Sequence, residues 1–448
     1  MEKRDLFGSR LGVLLALAGS AVGLGNLWRF PYLVGSNGGA MFIILYLFFV
    51  FIICLPLMFT EFVIGRRSHA NVFGAFRSLS SDKKSLWSKI GFISVLCSFT
   101  ILSFYSVVGG WTIDYLVRSC MFQFHVNSDY SEMFNLSTQV AWRPLLFTAI
   151  FLILTGLVVR MGVKDGIEKF TKVMMPILFL MVILVAIRSV TLPGAGEGLR
   201  FLFKPDFSKL TATTVLSAMG QAFFSLSIGC GTIITYASYV DKSENIMKTS
   251  SYTALMDLGF ALLAGMAIMP AVFAFGQSPT EGPGLVFIII PQIFAQIPFG
   301  SILAILFFFI LFFAAITSSI SLLEVVVAYL IEEFEMVRRK AVFISFTAVC
   351  VVAILCSLSL GPLQEFKIAG FAIFDFLDKL SANILLPAGG LLFVLFAGWK
   401  MPDQDYINEL TNEGTLPVNR FLLKAVRFIV KYVAPIIILL ILITGFVI

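Results

Sequence analysis

Apolar runs of about twenty residues, enough for a helix to cross a bilayer, recur along the whole chain with short polar stretches between them. Their pattern predicts eleven helices, near residues 11–34, 41–64, 90–120, 144–159, 167–187, 215–239, 250–275, 302–330, 341–358, 371–397 and 421–448. Two of these runs are not clean. The first is interrupted by GSAVGLGNLWRFP at 19–31, with Gly19, Gly23 and Gly25 beside Asn26 and Arg29. The sixth contains FSLSIGCG at 224–231. Glycines weaken a helix by the backbone freedom they lose in it, so both stretches are expected to unwind. Unwound backbone at membrane depth is tolerated only when buried in protein or turned onto a polar cavity. Glycines alone would equally suit close packing against a neighbouring helix. Packing glycines, however, need no amide and guanidinium beside them, so residues 19–31 read as a site.

Composition supports a polytopic membrane protein. Of 448 residues 59% are hydrophobic, only 13% are charged, and the mean hydropathy is +0.97. A soluble domain carries about 25% charged residues. The formal net charge of +6 therefore speaks to loop topology and not to nucleic acid. Lys and Arg cluster after the second helix (Arg66, Arg67, Arg77, Lys83, Lys84, Lys89), after the fourth (Arg160, Lys164) and after the eighth (Arg338, Arg339, Lys340), whereas loops 121–142 and 277–298 have none. Even-numbered loops and the N-terminus are accordingly expected in the cytoplasm; Arg200, Lys204 and Lys209 dissent. The six cysteines lack metal or disulfide spacing. No cleavable signal is evident, and a multi-pass protein of a bacterial inner (plasma) membrane is expected.

The two interruptions stand five helices apart. Interrupted helices at corresponding places in two halves point to an inverted-repeat transporter, and an odd offset turns the second copy upside down. The expected fold is all-α: a first five-helix repeat (1–188), its inverted copy (189–399), and a loop with an eleventh helix (400–448) outside the repeat.

The stretch at 19–31 with Asn37, Gly38 and Gly39, the sequence GCGTIITYASY at 229–239 and the triplet Thr317, Ser318, Ser319 fall in one order along the chain. Together they resemble the signature of the neurotransmitter:sodium symporter family, in its bacterial eleven-helix amino-acid transporter subgroup, over nearly the whole sequence. Sodium, a hard cation, is best served by oxygen ligands. The resemblance implies one sodium site from the Ala21 carbonyl, Asn26, Ser225 and Asp257, the last where relatives commonly carry Asn. It implies a second from the carbonyls of Gly19, Val22 and Ala314 with the hydroxyls of Thr317 and Ser318. Asp257 is also an acid in an apolar helix, costly there unless partnered. Chloride-dependent relatives hold an anion partly by a Ser one turn further on; here that residue is Ala261, so no chloride requirement is expected.

Between the ions the resemblance places a substrate pocket. Tyr105, with backbone around Leu24 and Gly25, would take a carboxylate, and Phe224 and Ser227 would take the amino end by packing and backbone contacts; Ala21 and Ser225 are also expected among the substrate-binding residues. Amine-transporting relatives carry Asp where this chain has Ser20, which favours an amino acid. Ile101, Phe224, Cys230, Ser318 and Leu322 would line an apolar side-chain pocket, and Cys230 in place of a bulky ring favours large substrates of the Trp, Tyr, Phe or Leu class. Arg29 and Asp378 resemble an outer gate; Arg4, Glu332 and Tyr239 resemble an inner one, with Phe7 where relatives often carry Trp. Glu61 and Glu324, acids in apolar spans, are expected to have structural or coupling roles.

A channel would call for pore-lining rings from an oligomer. A membrane enzyme has little to stand on, with only His69 and His125 and no nucleophile motif. The expected partners are an amino acid, sodium ions and lipid, with no obligate protein partner indicated. A proton-coupled or exchange carrier of the same fold, with Asp257 or Glu324 titrating, is the alternative.

Overall fold

The computed structural model describes residues 6–80, 86–126, 128–280 and 282–445. Nine helices among the described residues are long and apolar enough to cross a membrane unaided: Ala40–Ser68, Leu86–Cys120, Trp142–Arg160, Val163–Val190, Ile246–Ala274, Gly300–Glu333, Arg338–Leu358, Ile373–Trp399 and Arg420–Ile443. They are the second to fifth and seventh to eleventh spans. The first span is a bent pair, Arg10–Ala21 and Gly25–Ser36, with 43° between its halves. The sixth is Ala212–Ser225 and Thr232–Ala237, parted by residues 226–231. Both interruptions fall where the glycines foretold them.

Local chemistry sets the helix ends. Ser9 caps the first span by accepting from the Gly12 N–H at 3.0 Å, Thr211 caps the sixth through Thr214 at 3.1 Å, and Asn245 caps the seventh through Lys248 at 3.0 Å. Side-chain oxygens at these positions satisfy N–H groups that have no partner in the first turn. Several spans widen to a single π-turn just before a proline: Gly25–Arg29 ahead of Pro31, Val50–Cys54 ahead of Pro56, Leu380–Leu385 ahead of Pro387 and Ile429–Val433 ahead of Pro435. A proline removes one ladder hydrogen bond and its ring pushes on the preceding turn, and the wider turn relieves that clash.

The packing repeats with an offset of five. Both halves of the first span lie against the seventh, both halves of the sixth lie against the second, and the third and eighth pack on each other most extensively of all. This is the exchange of partners two inverted copies produce. It sets the two breaks side by side, with the third and eighth spans as a wall behind them.

Candidate functional site between the two broken spans

Every backbone group freed by the breaks must find a partner or face a cavity. In the first break the Gly23 N–H donates to Asn26 Oδ1 at 3.1 Å and the Leu24 N–H donates to the Tyr105 hydroxyl at 3.2 Å. The Gly25 carbonyl accepts from Gln221 Nε2 at 2.8 Å, and the Ser20 carbonyl accepts from the Ser227 hydroxyl at 3.3 Å. In the second break the Gly229 N–H donates to Glu61 Oε1 at 2.8 Å. The carbonyls of Gly229 and Cys230 accept from the Ser94 and Ser98 hydroxyls, each at 2.7 Å. Glu61 is thus the buried anchor of the sixth span's unwound turn. Ser227 (φ 54°), Gly229 (φ 88°) and Gly231 (φ 83°) give that turn its left-handed course. A Cβ on Gly229 would stand 2.1 Å from the Leu386 carbonyl oxygen, so the tenth span could not approach any other residue as closely.

The breaks enclose a small mid-membrane cavity of about 30 Å³. Ser20, Ala21, Gly25, Ile101, Tyr105, Phe224, Ser227, Cys230, Ser318 and Leu322, all expected from the sequence, line it. Leu24 and Ser225, also expected, do not. Leu24 reaches the site through its N–H, and Ser225 turns toward Asp257. Gly23, expected only as a residue that breaks the first span, and Leu386, not singled out at all, also line the cavity.

Beside the cavity lies a closed polar cluster. Asn26 Nδ2 donates to Asp257 Oδ1 at 2.8 Å and to the Ser225 hydroxyl at 3.2 Å. The Ser225 hydroxyl lies 2.8 Å from Asp257 Oδ2, and the Tyr46 hydroxyl donates to the same oxygen at 3.2 Å. Asp257 is completely buried and forms no ion pair among the described residues, although it carries a full charge when ionised. Its neighbours are neutral donors, an arrangement that suits a cation brought in from outside. Tyr46 is a member the sequence reading missed.

A second oxygen cluster joins the first and eighth spans. The Thr317 hydroxyl is 3.4 Å from the Val22 carbonyl oxygen and 3.0 Å from that of Ala314, and the Ser318 hydroxyl is 3.5 Å from the Gly19 carbonyl oxygen. All five residues of the second expected set therefore meet in one place.

The outer gate residues are arranged differently from the direct pair expected. Arg29 and Asp378 make no ion pair within 4 Å; instead the guanidinium lies over the Phe224 ring at 4.5 Å, with Nε and Nη1 buried and without a protein hydrogen-bond partner. The guanidinium thus sits against the ring of a residue that lines the cavity. On the other side Arg4 lies outside the described residues. Glu332 accepts from the Asn71 N–H at 2.7 Å and from its side-chain amide at 2.9 Å. Tyr239 donates to Glu324 at 2.8 Å, and Glu324 is also ion-paired with Arg338. The Phe7 ring packs edge-on against Tyr236 at 5.9 Å. Glu324 thus belongs to the same end of the molecule as the expected inner gate.

Two spans broken side by side around one mid-membrane cavity, in a helical chain of inverted repeats, make a secondary transporter. Comparison with known proteins specifies which kind. The family model described as the sodium:neurotransmitter symporter family matches residues 4–133 and 128–448, and the chain belongs to that family. It is 40% identical to the sodium-dependent transporter YhdH of Bacillus subtilis (strain 168), over 92% of this chain and 91% of that one. It is 35% identical to a sodium-dependent transporter of Haemophilus influenzae, over 99% and 98% of the two chains. The fold superposes on the crystal structure of MhsT in complex with L-phenylalanine with a TM-score of 0.93, at 41% identity, over 99% of this chain and all of that one. The chain is a multi-pass, sodium-dependent transporter.

Proposed function

We propose that this transporter is a chloride-independent symporter that couples two sodium ions to the uptake of hydrophobic and aromatic L-amino acids by alternating access. The observation that carries the reading is the convergence of both unwound segments on one cavity, polar at one side and apolar at the other. The Leu24 N–H and Tyr105 hydroxyl, 3.2 Å apart, suit a carboxylate. Ile101, Phe224, Cys230, Leu322 and Leu386 suit a large apolar side chain, and the L-phenylalanine bound by MhsT supports the same substrate class. Because the cavity is so small, a ring the size of phenylalanine requires its lining side chains to yield as it enters.

In this reading Ala21, Asn26, Ser225 and Asp257 hold the first sodium, and Gly19, Val22, Ala314, Thr317 and Ser318 hold the second. Asp257 supplies the fixed negative charge that an anion would otherwise provide, and Ala261 offers no hydroxyl to such an anion. Ions and substrate together stabilise an occluded state, after which the first, second, sixth and seventh spans rock against the rest. Each net charge moved adds roughly 2.3 kcal/mol per 100 mV of membrane potential. Arg29 with Asp378 closes the outer side, and Glu332 and Tyr239 with the N-terminal segment close the inner. The protein sits in a bacterial inner membrane with its N-terminus in the cytoplasm, and residues 1–188, 189–399 and 400–448 are its two repeats and its appended helix.

The neutral surroundings of Asp257 would also suit a proton, which favours a proton-coupled or exchange carrier as the second reading. Uptake of labelled amino acids into proteoliposomes, with sodium replaced by choline and across pH, separates the two. The symporter reading expects uptake to fall to background in choline at every pH, and sodium-independent uptake would reject it.

A further inference from the structure

Between the tenth and eleventh spans, at the polar end of the protein that carries the loop helix Asp403–Leu410, lies a groove of about 650 Å³. It is lined by Arg420, Lys424, Arg427 and Lys431. These positions are spaced by four, three and four residues, so they stack along one face of the helix that begins the eleventh span. Like charges four apart on a helix repel. The groove contains one carboxylate, Asp403, and Arg427 takes it, with Nε at 2.8 Å. Arg427 also donates to the Ala397 carbonyl at 2.7 Å and the Met401 carbonyl at 3.2 Å, ending the tenth span. Among the described residues Arg420, Lys424 and Lys431 have no ion-pair partner within 4 Å.

The surroundings belong to a membrane–water boundary. Trp399, Phe421, Phe428 and Tyr432 are exposed around the groove, and such aromatic residues gather at headgroup level. The Lys431 ammonium lies 5.2 Å from the centre of the Trp399 ring. Beyond the groove Ile436, Leu439, Leu440 and Ile443 present an exposed apolar strip along the same span. The far wall is fixed: Arg67 pairs with Asp405 at 2.8 Å, and buried Arg66 pairs with Glu409 at 2.5 Å. The groove is therefore a shaped cationic cleft continuous with lipid-facing surface.

We infer that this groove binds the headgroup of an anionic phospholipid, with the phosphate among Arg420, Lys424 and Lys431 and the acyl chains along the eleventh span. The site rests on the membrane-spanning fold and is independent of which amino acid is carried. Phosphate is the shared chemistry of a lipid headgroup and the free anion, but the apolar strip and aromatic rim favour the lipid.

The test uses the full-length protein in neutral detergent, with thermal unfolding and native mass spectrometry as readouts. Phosphatidylglycerol should raise the unfolding midpoint saturably and remain bound in the gas phase, whereas phosphatidylcholine and inorganic phosphate should do neither. The double variant Arg420→Gln/Lys424→Gln should bind phosphatidylglycerol at least about tenfold more weakly, as each basic group near an anionic surface contributes about a factor of five or more. Lys340→Gln, exposed elsewhere, should bind as the parent does. Arg427 is left intact because it holds the fold. Equal effects of the two lipids, unchanged binding by the double variant, or protection by inorganic phosphate matching that by lipid would each overturn the inference.

Discussion

Replacing Asp257 by Asn tests the electrostatic logic of the site directly. The carboxylate sits 2.8 Å from Asn26 Nδ2 and 2.8 Å from the Ser225 hydroxyl, fully buried and without a cationic side chain. A sodium ion lodged among these groups lies within about 4 Å of the charge, where two unit charges attract by about 4 kcal/mol at an effective dielectric of about 20. Asn keeps one carbonyl oxygen as a ligand and is cheaper to bury, which offsets part of the loss. The remainder, about 2–3 kcal/mol, corresponds to a roughly 30- to 150-fold higher sodium concentration for half-maximal uptake. The assay is sodium-dependent uptake of labelled L-phenylalanine into proteoliposomes, with chloride replaced by gluconate in a parallel series. The parent protein should ignore the replacement. The variant should remain monodisperse, since the Asn side chain is nearly isosteric and Tyr46 can still donate to its carbonyl. A variant with the parent's sodium dependence would refute the assignment of Asp257, and a parent protein inactive in gluconate would refute the claim that its charge stands in for chloride.

Three further outcomes follow from particular contacts. Tyr105→Phe removes the hydroxyl that meets the Leu24 N–H and should weaken L-phenylalanine binding by about 1–2 kcal/mol, roughly tenfold, in equilibrium binding with sodium saturating; an unaltered affinity would remove Tyr105 from the carboxylate end. Gly23→Ala places a Cβ 2.2 Å from the Ser318 hydroxyl and 3.0 Å from that of Tyr105, so uptake should be lost while the protein still purifies as a folded species. Activity near the parent's would mean the first break does not hold the substrate. Glu324→Gln removes the charge partner of Arg338 at a fully buried position while retaining an acceptor for Tyr239. The expected cost is about 1–3 kcal/mol, read as a lower thermal unfolding midpoint, because breaking a buried pair leaves the other charge poorly compensated.

Much of the architecture was written locally. Twenty-residue apolar runs have one stable form in lipid, because backbone groups must be satisfied within the segment. The spans thus follow from hydropathy, and glycine frequency marks where two of them fail. The family motifs carried most of the cavity residues and of the two oxygen clusters with them. Tyr46 was not legible, since a tyrosine in an apolar span is compatible with plain core packing, and its reach to Asp257 crosses 211 residues of chain. Leu386 was hidden for the same reason: nothing sets it apart from other leucines until the tenth span closes on Gly229. Glu61 and Glu324 stood out as acids in apolar runs, yet their partners, the Gly229 N–H and the Arg338–Tyr239 pair, emerge only from helix packing. Arg29 could be named as a gate residue, but its place over Phe224 instead of against Asp378 is a matter of where two separate helices stand.

Local composition could therefore fix which segments cross the membrane and which must unwind, because those depend on neighbours within a few turns. Whether an acid meets a hydroxyl, an N–H or an arginine depends on how helices from distant parts of the chain are juxtaposed, and that arrangement follows from the packing of the whole bundle.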